Sequence, residues 1–175
     1  VHAWLTAEGM PKHEAGRHCI VITDPGSPLE KLRVRELMRT ALAAPATVGG
    51  RYSALSMFGL APAALIGVHM PTLLSRAEAM ERACAAPLEE NPAALLAAWM
   101  ADSWEAGADK LTLVTSELYR PFGLWVEQLV AESLGKDGKG IVPVIECEPS
   151  TPAGYGADRA VVVIRLGDDT ELADW

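Results

Sequence analysis

"KLTLVTS", residues 110–116, is the stretch that sets the fold class. After Lys110 it runs through Leu, Thr and Val with no large polar side chain, and β-branched residues favour extended backbone. Such a run suits a strand covered on both faces, as in a parallel sheet. Three other stretches share this character: "CIVITD" (19–24), "GIVPVIE" (140–146) and "AVVVIRL" (160–166). Between and beside them lie helical periodicities over 29–43, 53–68, 71–86, 92–106 and 121–134. Asn91-Pro92 and Arg120-Pro121 read as helix entries, because proline suits the first helical turn. Strands alternating with helices predict an α/β fold, doubly wound, with parallel sheets flanked by helices. The middle, 69–106, is Ala-rich and offers no strand, so it reads as a helical connector. "AAPLEENPA" (85–93) reads as an exposed turn within it.

Composition narrows the function. The chain has 175 residues, half of them hydrophobic, and a net charge of −8. That charge opposes a general nucleic-acid binder, which needs a basic face to neutralise phosphates. It leaves room for an anionic small substrate, since one local cation can override the average field. Cys19, Cys84 and Cys147 form no C-x-x-C pair and read as buried or free thiols of a reducing cytoplasm. His2, His13, His18 and His69 show no metal-ligand spacing, so no metal is assigned. The longest uncharged apolar run, Tyr52 to Val68, is 17 residues, interrupted by Gly59 and Pro62, and reads as a buried helix. No signal-peptide pattern opens the chain, and no membrane association is expected. The start at Val1 and the close at "LADW" read as a piece of something longer.

Two constellations could carry chemistry. In "ATVGGRYSALSMFGL" (46–60), Arg51 is the only Lys, Arg, Asp or Glu from Thr40 through Ser75. A guanidinium in apolar surroundings must meet an anion or water. It reads equally as one arm of a structural salt bridge and as a fork of donors for an anionic substrate or intermediate. Gly49-Gly50 favours the second reading, since glycines permit conformations and close approaches that side chains forbid. In "FGLWVEQLVAESLGKDGKG" (122–140), the helical wheel puts Phe122, Trp125, Val126, Leu129, Val130 and Ser133 on one stripe. Glu132 falls at its edge beside Trp125, with Gln128 one turn back, and Glu127 turns toward solvent. A carboxylate at an apolar margin is a better proton acceptor near neutrality; a boundary glutamate that merely reaches water is the plainer alternative.

Other motifs are weaker. "GKDGKG" (135–140) does not have the spacing of a phosphate loop and reads as a glycine-rich helix exit. In "DPGSP" (24–28), Asp24 or Ser27 caps the following helix, although a strand end is also where α/β ligands sit. "HEAGRH" has one residue too many between its histidines for H-E-x-x-H, and no G-x-S-x-G is present.

Taken together, the two constellations resemble the glucose-6-phosphate isomerase family. "VGGRYSALSMFGL" is similar to its Gly-Gly-Arg-aromatic-Ser motif, and "FGLWVEQLVAESLGKDGKGIVPV" to its Gln-x-x-x-Glu-Ser-x-Gly-Lys helix. With "VITDPGSPLEKL" and "YGADR", the wording most resembles the isomerase half of bacterial bifunctional transaldolase/glucose-6-phosphate isomerases. The resemblance implies sugar-isomerase domains, each a three-layer sandwich with a parallel sheet between helices. It places the back of a first domain at 1–68, the connector at 69–106 and the front of a second domain at 107–175.

The resemblance also implies a cofactor-free activity. Glucose 6-phosphate and fructose 6-phosphate interconvert through a cis-enediolate, in a cytoplasmic enzyme of glycolysis and gluconeogenesis, with a homodimer as one possible assembly. Glu132 maps onto the catalytic base, Arg51 onto the group that stabilises the enediolate, and Gly50 and Gln128 onto substrate contacts. The family's phosphate cradle has no match here and would lie before Val1; its ring-opening histidine and late lysine would lie after Trp175. The isolated chain is therefore expected to be inactive or very weak. The competing expectations are a sugar-phosphate-binding module without catalysis, and a structural piece that works only with other chains.

Overall fold

The computed structural model describes residues 1–146, 148, 151–165, 167 and 172. They fall into two compact units, Val1–Ala77 and Glu78–Trp175, so the boundary lies inside a helix. The α/β class holds: each unit builds a parallel sheet with helices beside it.

The first unit opens with α1 (His2–Ala7), α2 (Lys12–Ala15) and a 3-10 turn (Gly16–His18), where the sequence offered no prediction. Strand β1 (Ile20–Thr23) follows, then α3 (Pro28–Arg35) and β2 (Thr40–Ala43). Ser27 caps α3: its Oγ accepts the Glu30 N–H at 3.2 Å and shares a 2.7 Å hydrogen bond with the Thr23 hydroxyl. The Glu30 carboxylate accepts the Gly26 N–H at 2.6 Å, close to a capping box. β1 and β2 pair in parallel from Ile20↔Thr40 to Thr23↔Ala43.

The predicted helix over 29–43 is thus cut in two. It stops at Arg35 because Leu37 turns left-handed, with φ +51°. The Met38 N–H then donates to the Arg33 carbonyl and the Leu37 N–H to the Val34 carbonyl, a Schellman closure. Leucine is an unusual residue for that position, so the sequence carries no stop signal. Gly16 lets the turn come this close, since a Cβ there would stand 1.8 Å from the Glu36 carbonyl oxygen.

The predicted buried helix over 53–68 is a 3-10 turn (Gly50–Leu55) followed by α4 (Met57–Leu65). Its large side chains are not core within this chain: Leu55, Met57, Phe58, Leu65 and Ile66 are 40–81 % exposed. Apolar composition was read as burial, but burial needs a covering partner. Helix α5 (Met70–Cys84) then crosses into the second unit.

The second unit continues with α6 (Pro92–Glu105), β3 (Lys110–Thr115), α7 (Arg120–Leu134), β4 (Val142–Glu146) and β5 (Arg159–Ile164). Asn91 caps α6 as expected, its Oδ1 accepting the Ala93 and Ala94 N–H groups, while its Nδ2 donates to the Cys84 carbonyl. The strand order is β4-β3-β5, all parallel, so the winding reverses at β3. On one face, Leu111, Leu113 and Ala160 pack with Val130 of α7, and Met100 of α6 joins them. On the other face, Arg159 donates to Thr112 Oγ1 at 3.0 Å and lies 3.5 Å from a Glu146 oxygen. The Tyr155 hydroxyl donates to the same carboxylate. The "YGADR" stretch therefore ties three strands together. The predicted strand over 160–166 begins one residue earlier, and its Leu166 lies outside the described residues, as does Cys147; Cys19 and Cys84 are free thiols. Among the described residues no helix is long and apolar enough to cross a membrane.

The start of β3 carries the displaced pKa values. Lys110 Nζ sits 2.7 Å from Asp109 and 3.1 Å from Asp158. Hydrogen bonds to Asp109 and then Asp158 raise the lysine above 10.5, and the bond from Lys110 lowers Asp158 below 3.8. The depressed carboxylate contributes stability above its unfolded value, lost as pH falls through the folded one. The raised ammonium contributes below 10.5, lost as pH climbs through its folded value. Urea titrations should show a Lys110→Met variant losing less stability than wild type between pH 6 and pH 3. Equal losses in the two proteins would remove the clamp from the account.

Candidate functional site

Arg51 stands in the 3-10 turn that follows the carboxyl end of β2, the end at which parallel α/β units hold ligands. The turn is held by its serines. Ser53 donates to the Gly50 carbonyl at 2.7 Å, Ser56 donates to the Ser53 carbonyl at 2.7 Å, and Ser56 Oγ accepts the Phe58 N–H at the start of α4. Ser53 is buried and Arg51 half-buried. Gly59 lets the turn and α4 meet, since a Cβ there would be 2.0 Å from the Ala54 oxygen.

Gly49 and Gly50 differ from the expectation. Neither adopts left-handed backbone. A Cβ on Gly50 would meet nothing within 4 Å, and one on Gly49 would meet only the Tyr52 ring at 3.7 Å. Among the described residues no steric demand selects glycine there. What their smallness does is keep open the space next to Arg51.

Gln128 and Glu132 lie one turn apart on α7, both exposed. The inner side of that helix is Gly123, Val126 and Val130, pressed on the sheet so closely that a Cβ on Gly123 would be 3.2 Å from Ile145. The wheel stripe is corrected accordingly: Phe122 and Trp125, 46 % and 39 % exposed, stack on each other at 5.5 Å outside the core. Gly123 takes the inner position, where a Cβ would force the Ile145 side chain to give by a few tenths of an ångström. The apolar margin expected beside Glu132 is thus an exposed one. Glu127, expected toward solvent, lines a groove of about 530 Å³ with Glu117, Arg120, Leu124 and the β4 residues Pro143, Val144 and Ile145. That groove contains neither Gln128 nor Glu132.

The helix closes at "GKDGKG" in a tight turn. Lys136 and Lys139 exchange backbone hydrogen bonds of 2.8 and 2.9 Å across Asp137 and Gly138, which have φ +53° and +75°. Trp104 Nε1 donates to the Gly140 carbonyl and pins the turn to α6. Nothing in it cradles an anion. Among the described residues no cluster of His, Cys, Asp and Glu could hold a metal.

Topology points to residues that motif reading missed. The winding of the second sheet reverses at β3, and the crevice at such a point lies outside the strand's carboxyl end. That end is Thr115 and Ser116, both buried. The only signal in the sequence was the strand's own boundary. Gln128 and Glu132 lie about 12–18 Å along α7 from its start next to Ser116, at 1.5 Å per residue. The two features belong to opposite ends of the unit.

Comparison with known proteins agrees with the parallel α/β class. A crystal structure of a hypothetical protein from Thermus thermophilus superposes with a TM-score of 0.76 at 29 % identity, covering 92 % of this chain and 41 % of that one. Residues 1–149 match the phosphoglucose isomerase family, and the chain belongs to that family. It is 41 % identical over 122 residues to a glucose-6-phosphate isomerase of Synechococcus sp. (strain JA-3-3Ab), covering 68 % of this chain and 23 % of that protein. It is 36 % identical over 131 residues to a probable glucose-6-phosphate isomerase of Methanococcus maripaludis, covering 74 % and 30 % respectively. The chain thus spans about a quarter of the length of such relatives.

Proposed function

We propose that this chain supplies the proton-transfer residues of a glucose-6-phosphate isomerase. Glu132 removes the proton from the carbon next to the sugar carbonyl and returns it to the neighbouring carbon. Arg51 stabilises the negative charge that develops on the enediolate oxygens. Gln128 hydrogen-bonds the substrate, and Gly50 leaves room for it against Arg51. As the carbon-bound proton passes from C2 to C1, a hydroxyl proton passes from the C2 oxygen to the C1 oxygen and the carbonyl moves from C1 to C2. The atoms and electrons thus balance within the substrate, and the reaction uses no cofactor. In the parent protein, other segments grip the phosphate and open the ring, which leaves this chain alone with little or no turnover. The motif wording is closest to that of bifunctional transaldolase/isomerase parents, which is what favours a cytoplasmic enzyme here, with a homodimer as one assembly open to it.

The observation that carries this reading is Gly50: a glycine beside a half-buried arginine, in a position where the chain itself has no need of one. A Gly50→Ala change should leave the melting temperature of this chain unchanged or slightly raised, since alanine restricts the unfolded state. In the parent enzyme it should cost at least about tenfold in kcat/KM, a loss of roughly 1.4 kcal/mol of transition-state binding. Full activity in Gly50→Ala would show that the space is not used by substrate.

A further inference from the structure

A second place in the first unit has the chemistry of an anion site and takes no part in the proposed reaction. Arg17 of the 3-10 turn, Arg33 in the last turn of α3, and Arg39 just before β2 line one depression of about 580 Å³. Val34, Leu37 and Met38 form the rest of its wall, and no carboxylate lines it. The chain as a whole is acidic, yet Val1–Ala77 carries eight Lys and Arg against five Asp and Glu.

The arginines are built into the turn. The Arg39 N–H donates to the Cys19 carbonyl at 2.9 Å, and its Nε donates to the Arg17 carbonyl at 3.0 Å, joining the two bases through backbone. Left-handed Leu37, held against Gly16, brings Arg33 and Arg39 back toward one another across the Schellman closure. That closure also occupies the carbonyls that would otherwise oppose an anion at the end of α3. The nearest acidic side chain in sequence, Glu36, is held by the Arg35 Nε at 2.9 Å. Arg33 Nε is buried and has no hydrogen-bond partner among the described residues. A buried donor without an acceptor is costly, and an anion seated against the same guanidinium would offset that cost through its charge.

We propose that Arg17, Arg33 and Arg39 form a binding site for a small organic phosphate, the guanidinium forks taking the phosphate oxygens and Val34, Leu37 and Met38 taking the carbon skeleton. Three arginines suit a phosphate dianion better than a single carboxylate, because each fork pairs with two oxygens. The apolar wall separates an organic phosphate from the free ion.

The test uses the 175-residue chain, titrated with inorganic phosphate and with phenyl phosphate and followed by amide NMR shifts. Shifts should concentrate at residues 17 and 33–39, with phenyl phosphate at least about threefold tighter than phosphate. An Arg17→Gln/Arg33→Gln double variant should bind at least about tenfold more weakly. Arg33→Lys, which keeps charge and loses the fork, should fall between the two, and it covers the case in which the double variant fails to fold. Arg51→Ala should bind as wild type does. Shifts centred on Arg51 instead, or affinity unchanged in Arg33→Lys and in a folded double variant, would overturn the site. Equal affinity for the two probes would overturn the organic-phosphate assignment.

Discussion

Replacing Glu132 with glutamine is expected to lower kcat of the full-length isomerase by about 10²–10⁴, the usual contribution of a positioned general base. The amide keeps the shape and the hydrogen-bonding reach of the side chain but cannot accept the carbon-bound proton. Glu132 is exposed on a helix whose other face is pressed on the sheet, so the core is untouched by the change. KM should move little, because the substrate's ground state does not need the base. Two readouts separate chemistry from binding: turnover, and incorporation of deuterium into sugar phosphate in heavy water. Both should be lost together while substrate still protects the protein against thermal unfolding. Turnover within tenfold of wild type would leave Glu132 as a solvated helix residue and favour a binding module.

Arg51→Ala is expected to lower kcat by about 10²–10³, as removal of one preorganised donor at a developing oxyanion does. The charge it meets appears only in the enediolate, so the loss should fall on kcat more than on KM. Arg51→Lys should recover only part of it, because an ammonium is a point charge and cannot offer two parallel donors. Guanidinium ion added to the alanine variant should restore some turnover. A folded Arg51→Ala enzyme with wild-type kcat would return Arg51 to the structural reading. The melting temperature of the short chain provides the control, since the serines that hold its turn remain in place.

These expectations rest on features of very different legibility. Strands β3, β4 and β5 could be read directly, because an unbroken β-branched run has few places to go except a sheet covered on both sides. The Asn91 cap was equally plain, a short polar side chain before a proline, whereas Asp24 and Ser27 both precede prolines and only the structure chose Ser27. Strand β2 could not be read. "TALA" continues the apolar rhythm of α3, and the break falls at Leu37, whose left-handed backbone is closed by the Schellman bonds in the room that Gly16 leaves. The exposed apolar side chains of 52–68 misled for a related reason: hydrophobicity says that a side chain gains from cover, but not where the cover is.

The site divides in the same way. Arg51 and Glu132 stood out because each breaks the pattern of its own segment, a charge in an apolar run or a carboxylate beside a stripe, while Gly50 and Gln128 took their proposed roles from the motif resemblance alone. The depression of Arg17, Arg33 and Arg39 has no linear signature at all, being assembled from three segments by one tight turn.

By itself, the sequence determined the parallel α/β class, the starts of α6 and α7 and the positions that break their local pattern, all properties of neighbours in the chain. Only the tertiary structure decided where α3 ends, which side of α7 is pressed on the sheet, and that Gly50 answers to no need of the chain itself. Those depend on which distant atoms arrive next to a residue, and excluded volume between them acts through space rather than along the backbone.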